Sequence, residues 1–159
     1  MSIRLEDTPI LQQLIIQAKS ENLPLHVPGH HQGRDLPGIL SEWLGACSKL
    51  DLTELPGLDN LHHPDGCILA SQKLAASHYG SKNCFYSVNG STAGVMAAIA
   101  SCTSFGQKIL FLNSFHLSAW RGLVLSGAIP MFLPLEWDAQ NMTFAPPSIR
   151  KLIACLERE

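Results

Sequence analysis

An Asn-Gly-Ser-Thr run at residues 89–92 has the residue types needed to hold an anion. It follows residues 84–88, an apolar stretch typical of a buried strand, and precedes small apolar residues typical of a helix. An anion at a helix start gains hydrogen bonds from N–H groups that lack acceptors, and charge stabilisation from the helix dipole. Gly90 permits a left-handed turn, while Ser91 and Thr92 can cap the helix and donate hydroxyls. The pattern predicts a phosphate site, and an ordinary capped helix is the alternative.

The composition indicates a globular chain that is more apolar than its length requires. Of 159 residues, 46% are hydrophobic and 15% are charged, with a formal net charge of −2 and no basic stripe. Nucleic acid is therefore disfavoured as a partner. No segment has the length of a membrane span and no signal peptide is evident, so we expect a cytoplasmic protein. Five widely spaced cysteines without a C-x-x-C pair are expected to be buried free thiols.

Helical and strand patterns alternate along the chain, which is typical of an α/β domain around a mostly parallel sheet. Two long irregular loops, residues 23–38 and 51–66, lie before the Asn-Gly-Ser-Thr run. The periodicity and turn residues predict helices at 8–22, 36–47, 67–79, 95–102 and 120–126 and from 147, and further strands at 108–113 and 129–135.

The two loops carry side chains that could suggest a metal site. These are His30, His31, His62, His63, Asp59 and Asp65. Adjacent histidines rarely both reach one ion, and no H-E-x-x-H motif is present. We therefore predict no metal site.

Four motifs occur in the order of a known enzyme family. They are Pro-Gly-His-His-Gln-Gly at 28–33, Asp-Leu-Thr-Glu-Leu and Asp-Asn-Leu-His-His-Pro-Asp-Gly within 51–66, Asn-Gly-Ser-Thr at 89–92, and Asn-Ser-Phe-His-Leu-Ser at 113–118. In this order the chain resembles the Orn/Lys/Arg decarboxylases, which are pyridoxal-phosphate enzymes of the aminotransferase fold (fold type I). The resemblance runs from about Pro9 to the C-terminal end. It implies a large domain with a mostly parallel sheet, preceded by a helix and long loops.

The resemblance also implies roles for particular residues. Gly90, Ser91 and Thr92 would hold the phosphate of pyridoxal 5′-phosphate, and the His116 ring would lie flat on the cofactor's pyridine ring. Without the family, His116 is a satisfied histidine at a helix start. The loops around His30 and His62 would help to line the active site, partly across a dimer interface, with no proton-transfer role. The substrate would be arginine, lysine or ornithine, in polyamine metabolism, with no preference among the three.

Two groups that the family's chemistry needs are missing from this sequence. The family lysine that binds the cofactor covalently lies in an S-x-H-K motif, whereas none of the six lysines here follows a histidine. No acid occurs between Asp65 and Glu136 to pair with the pyridine nitrogen. We therefore expect an incomplete large domain with no catalytic residue, inactive alone. A split gene, a pseudogene product and a truncated record are equally consistent with this expectation.

These observations give a domain assignment and two alternatives. We expect residues 1–66 to form the N-terminal helix and site-lining loops, and 67–159 to form the first part of the cofactor-binding domain. The expected partners are the cofactor, a basic amino acid, and a second copy, a C-terminal half or a full-length relative. One alternative is a non-catalytic dimerisation or phosphate-ligand-binding module from the same family, since an incomplete sheet exposes apolar surface. The other is an unrelated phosphate-binding transferase or hydrolase.

Overall fold

The computed structural model describes residues 4–112 and 115–157, and these form two compact units, Met1–Tyr86 and Ser87–Glu159. Six α-helices and four strands occur within the described residues, so the predicted α/β class is confirmed. The division between the units lies C-terminal of the predicted boundary at residue 66. The roles assigned to the two predicted domains stay predictions.

The first unit is helical and irregular. Its α-helices are α1 (Pro9–Ala18), α2 (Gly38–Leu44) and α3 (Cys67–Tyr79), with short 3-10 helices at Leu5–Asp7, His31–Gly33 and Gly45–Leu50. Helix α1 has proline at its start, as predicted, and packs against α3. Gly80, in the left-handed conformation, ends α3 at the predicted residue.

The second unit contains the sheet. Its elements are α4 (Gly90–Cys102), β1 (Lys108–Leu112), α5 (Leu117–Ser126), β2 (Ile129–Leu133), β3 (Glu136–Asp138), β4 (Thr143–Ala145) and α6 (Ile149–Glu157). Strands β1 and β2 pair in parallel, with Lys108 opposite Ile129, and β3 and β4 pair antiparallel. The predicted parallel sheet is present as this two-stranded pair among the described residues.

Helix α5 packs on the face of the sheet that bears Ile109 and Phe111. The core consists of Phe111, Ala119, Leu123 and Ala128, with Ile99, Ile109 and Phe115 packed against it. Helix α4 approaches α5 closely at Gly122, where a Cβ atom would lie 2.8 Å from the Ile99 Cδ1 atom. The backbone of α5 therefore serves as a packing surface for α4.

The predicted strand at residues 84–88 is wrong. These residues form no strand in the structure, and Phe85 and Val88 are 83% and 75% exposed. A strand needs a hydrogen-bonded neighbour, and the described sheets pair only β1 with β2 and β3 with β4. An apolar sequence without such a partner stays irregular.

Two apolar elements of the second unit are less buried than their sequences suggest. Helix α4, in which nearly all residues are apolar or small, contains no buried residue, and β1 is covered mainly on one face, with Leu112 41% exposed. The two-stranded sheet and α5 provide too little surface to enclose them. The cysteines are free as predicted, but Cys47 and Cys102 are exposed and the other three are only partly buried.

The β3–β4 hairpin was not predicted from the sequence. Its turn is held by Asp138, whose carboxylate accepts the backbone N–H groups of Gln140 and Asn141 at 2.9 and 3.1 Å. Trp137 and Phe144 lie edge to face across it, with ring centroids 5.3 Å apart. Among the helices of the described ranges, none has both the length and the apolar character needed to cross a membrane.

Candidate cofactor-binding site

The N-terminus of α4 begins at the predicted turn. Gly90 adopts φ +73°, a left-handed backbone conformation that favours glycine. Beyond its chain neighbours, no atom lies within 4 Å of the position that a Cβ atom would take, so lack of space is not the reason for glycine here. The Asn89 side chain, at the N-cap position, makes no capping hydrogen bond. The first N–H groups of α4 therefore lack a side-chain cap.

Ser91 and Thr92 add two hydroxyl groups to this helix start. Ser91 is exposed and Thr92 is half-buried. Neither hydroxyl takes part in a hydrogen bond with another residue of the described chain. Uncapped N–H groups beside two unpaired hydroxyls form a donor set suited to the oxygens of a phosphate group.

His116 lies at the N-cap of α5 and is exposed. Its Nδ1 atom accepts the backbone N–H of Ser118 at 3.2 Å and lies 3.0 Å from the Ser118 Oγ atom. Because Nδ1 is an acceptor, the neutral ring carries its proton on Nε2. The contact with Ser118, which is 2% exposed, fixes the ring at the helix start. Asn113 and Ser114 of the same predicted motif lie outside the described residues.

The C-terminal ends of α4 and α5 lie side by side. The Gly106 N–H, just after α4, donates to the Gly127 carbonyl oxygen at 2.9 Å, and the Gln107 carbonyl oxygen accepts the Ile129 N–H at 2.8 Å. A Cβ atom on Gly127 would lie 2.4 Å from the Phe105 ring. The two helices therefore run in the same direction.

Because the helices run in the same direction, Ser91 and His116 lie at the same end of the helix pair. The close contact of Ile99 with Gly122 gives a common reference point. At a rise of about 1.5 Å per residue, Ser91 lies about 12 Å before Ile99, and His116 lies about 9 Å before Gly122. This end corresponds to the carboxyl edge of the parallel strands, where ligands of open α/β sheets usually bind. Cofactor contact by these residues stays a prediction.

His30, in the first unit, has both ring nitrogens engaged. Its Nδ1 atom accepts the Gly33 N–H at 3.0 Å, and its Nε2 atom lies 3.1 Å from the Asp51 carboxylate. These contacts join two of the motifs that identified the family. Both ring nitrogens of His30 thus stabilise the loop, and its predicted place beside the cofactor stays a prediction.

Asp59 organises the loop before α3. Its side-chain carboxylate accepts five backbone N–H groups at 2.8–3.2 Å, those of Asn60, Asp65, Gly66, Ile68 and Leu69. Burial raises the pKa of this carboxyl, but the hydrogen bonds outweigh it and hold the pKa well below its ordinary value. The charge also lies at the positive end of α3.

The lone pairs of Asp59 are thus used by backbone groups, and the described residues contain no group of three His, Cys, Asp or Glu side chains arranged to hold a metal. Sequence reasoning considered Asp59 only as a metal ligand and missed its structural role. The sequence signal for this role was a loop rich in Asp and Asn residues before Gly66. Gly66 is the N-cap residue of α3 and has no side chain that could cap the helix.

Comparison with known proteins identifies the family. A family model described as Orn/Lys/Arg decarboxylase, major domain, matches residues 8–150. The arginine decarboxylase of Halalkalibacterium halodurans is 35% identical over 136 residues, 85% of this chain and 28% of the relative. A Bacillus subtilis (strain 168) protein, named only as uncharacterized protein YaaO, is 39% identical over 133 residues, 84% of this chain and 28% of the relative.

A solved structure shares the fold. The Escherichia coli constitutive lysine decarboxylase matches 91% of this chain and 21% of its own, with a TM-score of 0.79 and 18% sequence identity. The chain spans 28% of the length of each of these two curated relatives. The family predicted from the four motifs is confirmed, and the chain belongs to the Orn/Lys/Arg decarboxylase family.

Proposed function

We propose that this chain is the N-terminal portion of a pyridoxal-phosphate-dependent decarboxylase of arginine, lysine or ornithine, with an aminotransferase-like fold. The observation that carries the proposal is the placement of an uncapped α4 N-terminus and His116 at one end of a helix pair. It is supported by the family match and by a relative named as an arginine decarboxylase. Cytoplasmic location and a part in polyamine metabolism stay predictions.

The chain's contribution in this proposal is binding and orientation. Pyridoxal phosphate, when bound, supplies an electron sink for loss of the substrate's carboxylate. The N–H groups at the start of α4 and the Ser91 and Thr92 hydroxyls donate to the phosphate oxygens. The His116 ring, which Ser118 fixes, would contact the pyridine ring of the bound cofactor.

The proposal includes inactivity of this chain alone. No lysine here follows a histidine, and covalent attachment of the cofactor in the family depends on such a lysine. The purified chain, supplied with pyridoxal phosphate, should release no CO₂ from arginine, lysine or ornithine. Substrate-dependent CO₂ release from chain free of host enzymes would contradict this.

Binding is tested with 4′-deoxypyridoxine 5′-phosphate, which lacks the aldehyde and so cannot react with surface lysines. In an NMR titration we expect saturable shifts of the amide signals of residues 90–92 and 116–118. The double variant Ser91→Ala/Thr92→Ala should bind about tenfold more weakly, since two charge-assisted hydrogen bonds are lost. Ser101→Ala, an exposed serine at the other end of α4, should bind like the wild type. Equal affinity in the double variant and the wild type would refute the assignment of the phosphate site.

The non-catalytic dimerisation module remains a second candidate because the first unit exposes large apolar side chains. Leu25 and Trp43 are each 81% exposed. Such exposure favours association with a second copy or with a full-length relative. In sedimentation velocity at about 100 μM, this candidate predicts a dimer that Trp43→Ser weakens. A stable monomer of the wild-type chain would remove self-association as its function.

A further inference from the structure

A cavity of about 440 Å³ lies within the first unit, lined by one side of α3 from Leu69 to Ser77, by residues 81–85 and by Pro64. Its apolar lining includes Leu69, Ala76 and Phe85. Its polar lining is Gln72, Lys73, Ser77, Ser81, Lys82 and Asn83. The volume lies within the range of sites for small organic molecules.

Gln72 is the most informative residue of the cavity. It is 7% exposed, and its side-chain amide makes no hydrogen bond with the described part of the chain. No fully buried side-chain nitrogen or oxygen in that part lacks a partner, so the Gln72 amide is not fully enclosed, and Gln72 is one of the residues that line the cavity. An amide with so little exposure and no protein partner is available for hydrogen bonds to a ligand in the cavity.

The charge of the lining has one sign. Lys73 and Lys82 are exposed and form no ion pair with any described residue. No aspartate or glutamate lines the cavity. An anion beside Gln72 would therefore meet two positive charges and no carboxylate.

We propose that this cavity binds a small organic anion, with a phosphate or carboxylate group carried on an apolar body. The Gln72 amide donates to the anion, Lys73 and Lys82 neutralise it, and the apolar body contacts Leu69 and Ala76. The cavity is formed by residues of the first unit, whereas Ser91, Thr92 and His116 belong to the second. The proposal does not depend on the function proposed above.

The test is an NMR titration of the chain with phenyl phosphate and with benzoate, and phenol serves as the neutral analogue. We expect saturable shifts of the amide signals of residues 72–85 with at least one of the two anions, and no saturation with phenol. The anion that saturates identifies which acid group the site takes. Lys73→Gln/Lys82→Gln should weaken binding at least about tenfold. Both lysines are exposed, so these substitutions leave folding intact.

Two controls make the result specific. Lys19→Gln/Lys49→Gln makes the same change in net charge at exposed lysines outside the cavity and should bind like the wild type. Ser91→Ala/Thr92→Ala should leave the shifts of residues 72–85 unchanged, which separates this site from the proposed phosphate site. Absence of saturation with both anions, equal binding of phenol, or equal weakening by the two lysine pairs would overturn the proposal.

Discussion

The carboxylate of Asp59 accepts the backbone N–H of Ile68 at 2.8 Å, across nine positions of sequence. The donor belongs to the first turn of α3, whose own N-cap residue, Gly66, has no side chain. A loop residue thus provides the cap that the helix start lacks. One buried carboxylate thereby fixes both the conformation of the loop and the start of the helix.

Replacement of Asp59 should destabilise the first unit. We expect Asp59→Asn to lower the free energy of unfolding by about 2 kcal/mol, because an amide removes the charge and turns a donor toward backbone N–H groups. Urea unfolding followed by circular dichroism measures the change. Asp65→Asn is the matched control, because Asp65 is exposed and its side chain makes no hydrogen bond within the described residues. Equal stability of the two variants would refute the capping role.

The same residue predicts how stability depends on pH. The pKa of Asp59 is lowered in the folded chain, so its contribution is fully present above the unfolded-state pKa of about 4 and is lost as pH falls below that value. The difference in unfolding free energy between wild type and Asp59→Asn should therefore be constant from about pH 7 to pH 5 and shrink below about pH 4. Urea unfolding of both proteins across this range measures it.

Other acids contribute equally to both proteins in that comparison. The Lys151 side chain lowers the pKa of Glu136, and the Asn141 side chain lowers that of Asp138, each through a hydrogen bond to the carboxylate. Both proteins therefore lose stability in acid, and the difference between them isolates Asp59. A difference that stays constant down to about pH 2 would contradict the lowered pKa.

The sequence predicted those features that depend on near neighbours. Pro9 begins α1, Gly80 ends α3 and Gly127 ends α5, because each acts through its own backbone within one helical turn. A helix start near the Asn-Gly turn was predicted for the same reason, but the N-cap residue is Asn89 and not Ser91 or Thr92, which lie inside α4. Local backbone chemistry is therefore the part of this fold that the sequence determines most directly.

Features that depend on distant partners could not be predicted in the same way. Burial of Phe85 required a neighbouring strand, which no local pattern guarantees. The contact of Asp59 with Leu69 spans ten positions of an irregular loop, so no periodicity reveals it. For His116, the interpretation made without the family was a histidine at a helix start, and only the structure shows that Ser118 fixes its ring.

Gly33 should tolerate no side chain. It adopts φ +89°, and a Cβ atom would lie 2.2 Å from the Ser48 Oγ atom, which belongs to a buried residue. Gly33→Ala adds backbone strain and a steric clash, with an expected loss of about 2–4 kcal/mol in unfolding free energy. Gly29→Ala is the matched control, because nothing lies within 4 Å of its Cβ position, and its effect should stay within about 0.5 kcal/mol. Similar urea midpoints for the two variants would contradict this interpretation.

The approach of α4 to α5 gives the last prediction. A methyl group at Gly122 would lie 2.8 Å from the Ile99 Cδ1 atom, so Gly122→Ala must push the helices apart, at a cost of about 1–3 kcal/mol. Gly94→Ala places the same group on α4 where no atom lies within 4 Å, and the better helix propensity of alanine should raise stability by about 0.5–1 kcal/mol. In urea unfolding, we therefore expect Gly122→Ala to lower the free energy of unfolding and Gly94→Ala to raise it, although both replace a helical glycine by alanine. Destabilisation of both variants to the same extent would show that Gly122 is not a packing contact.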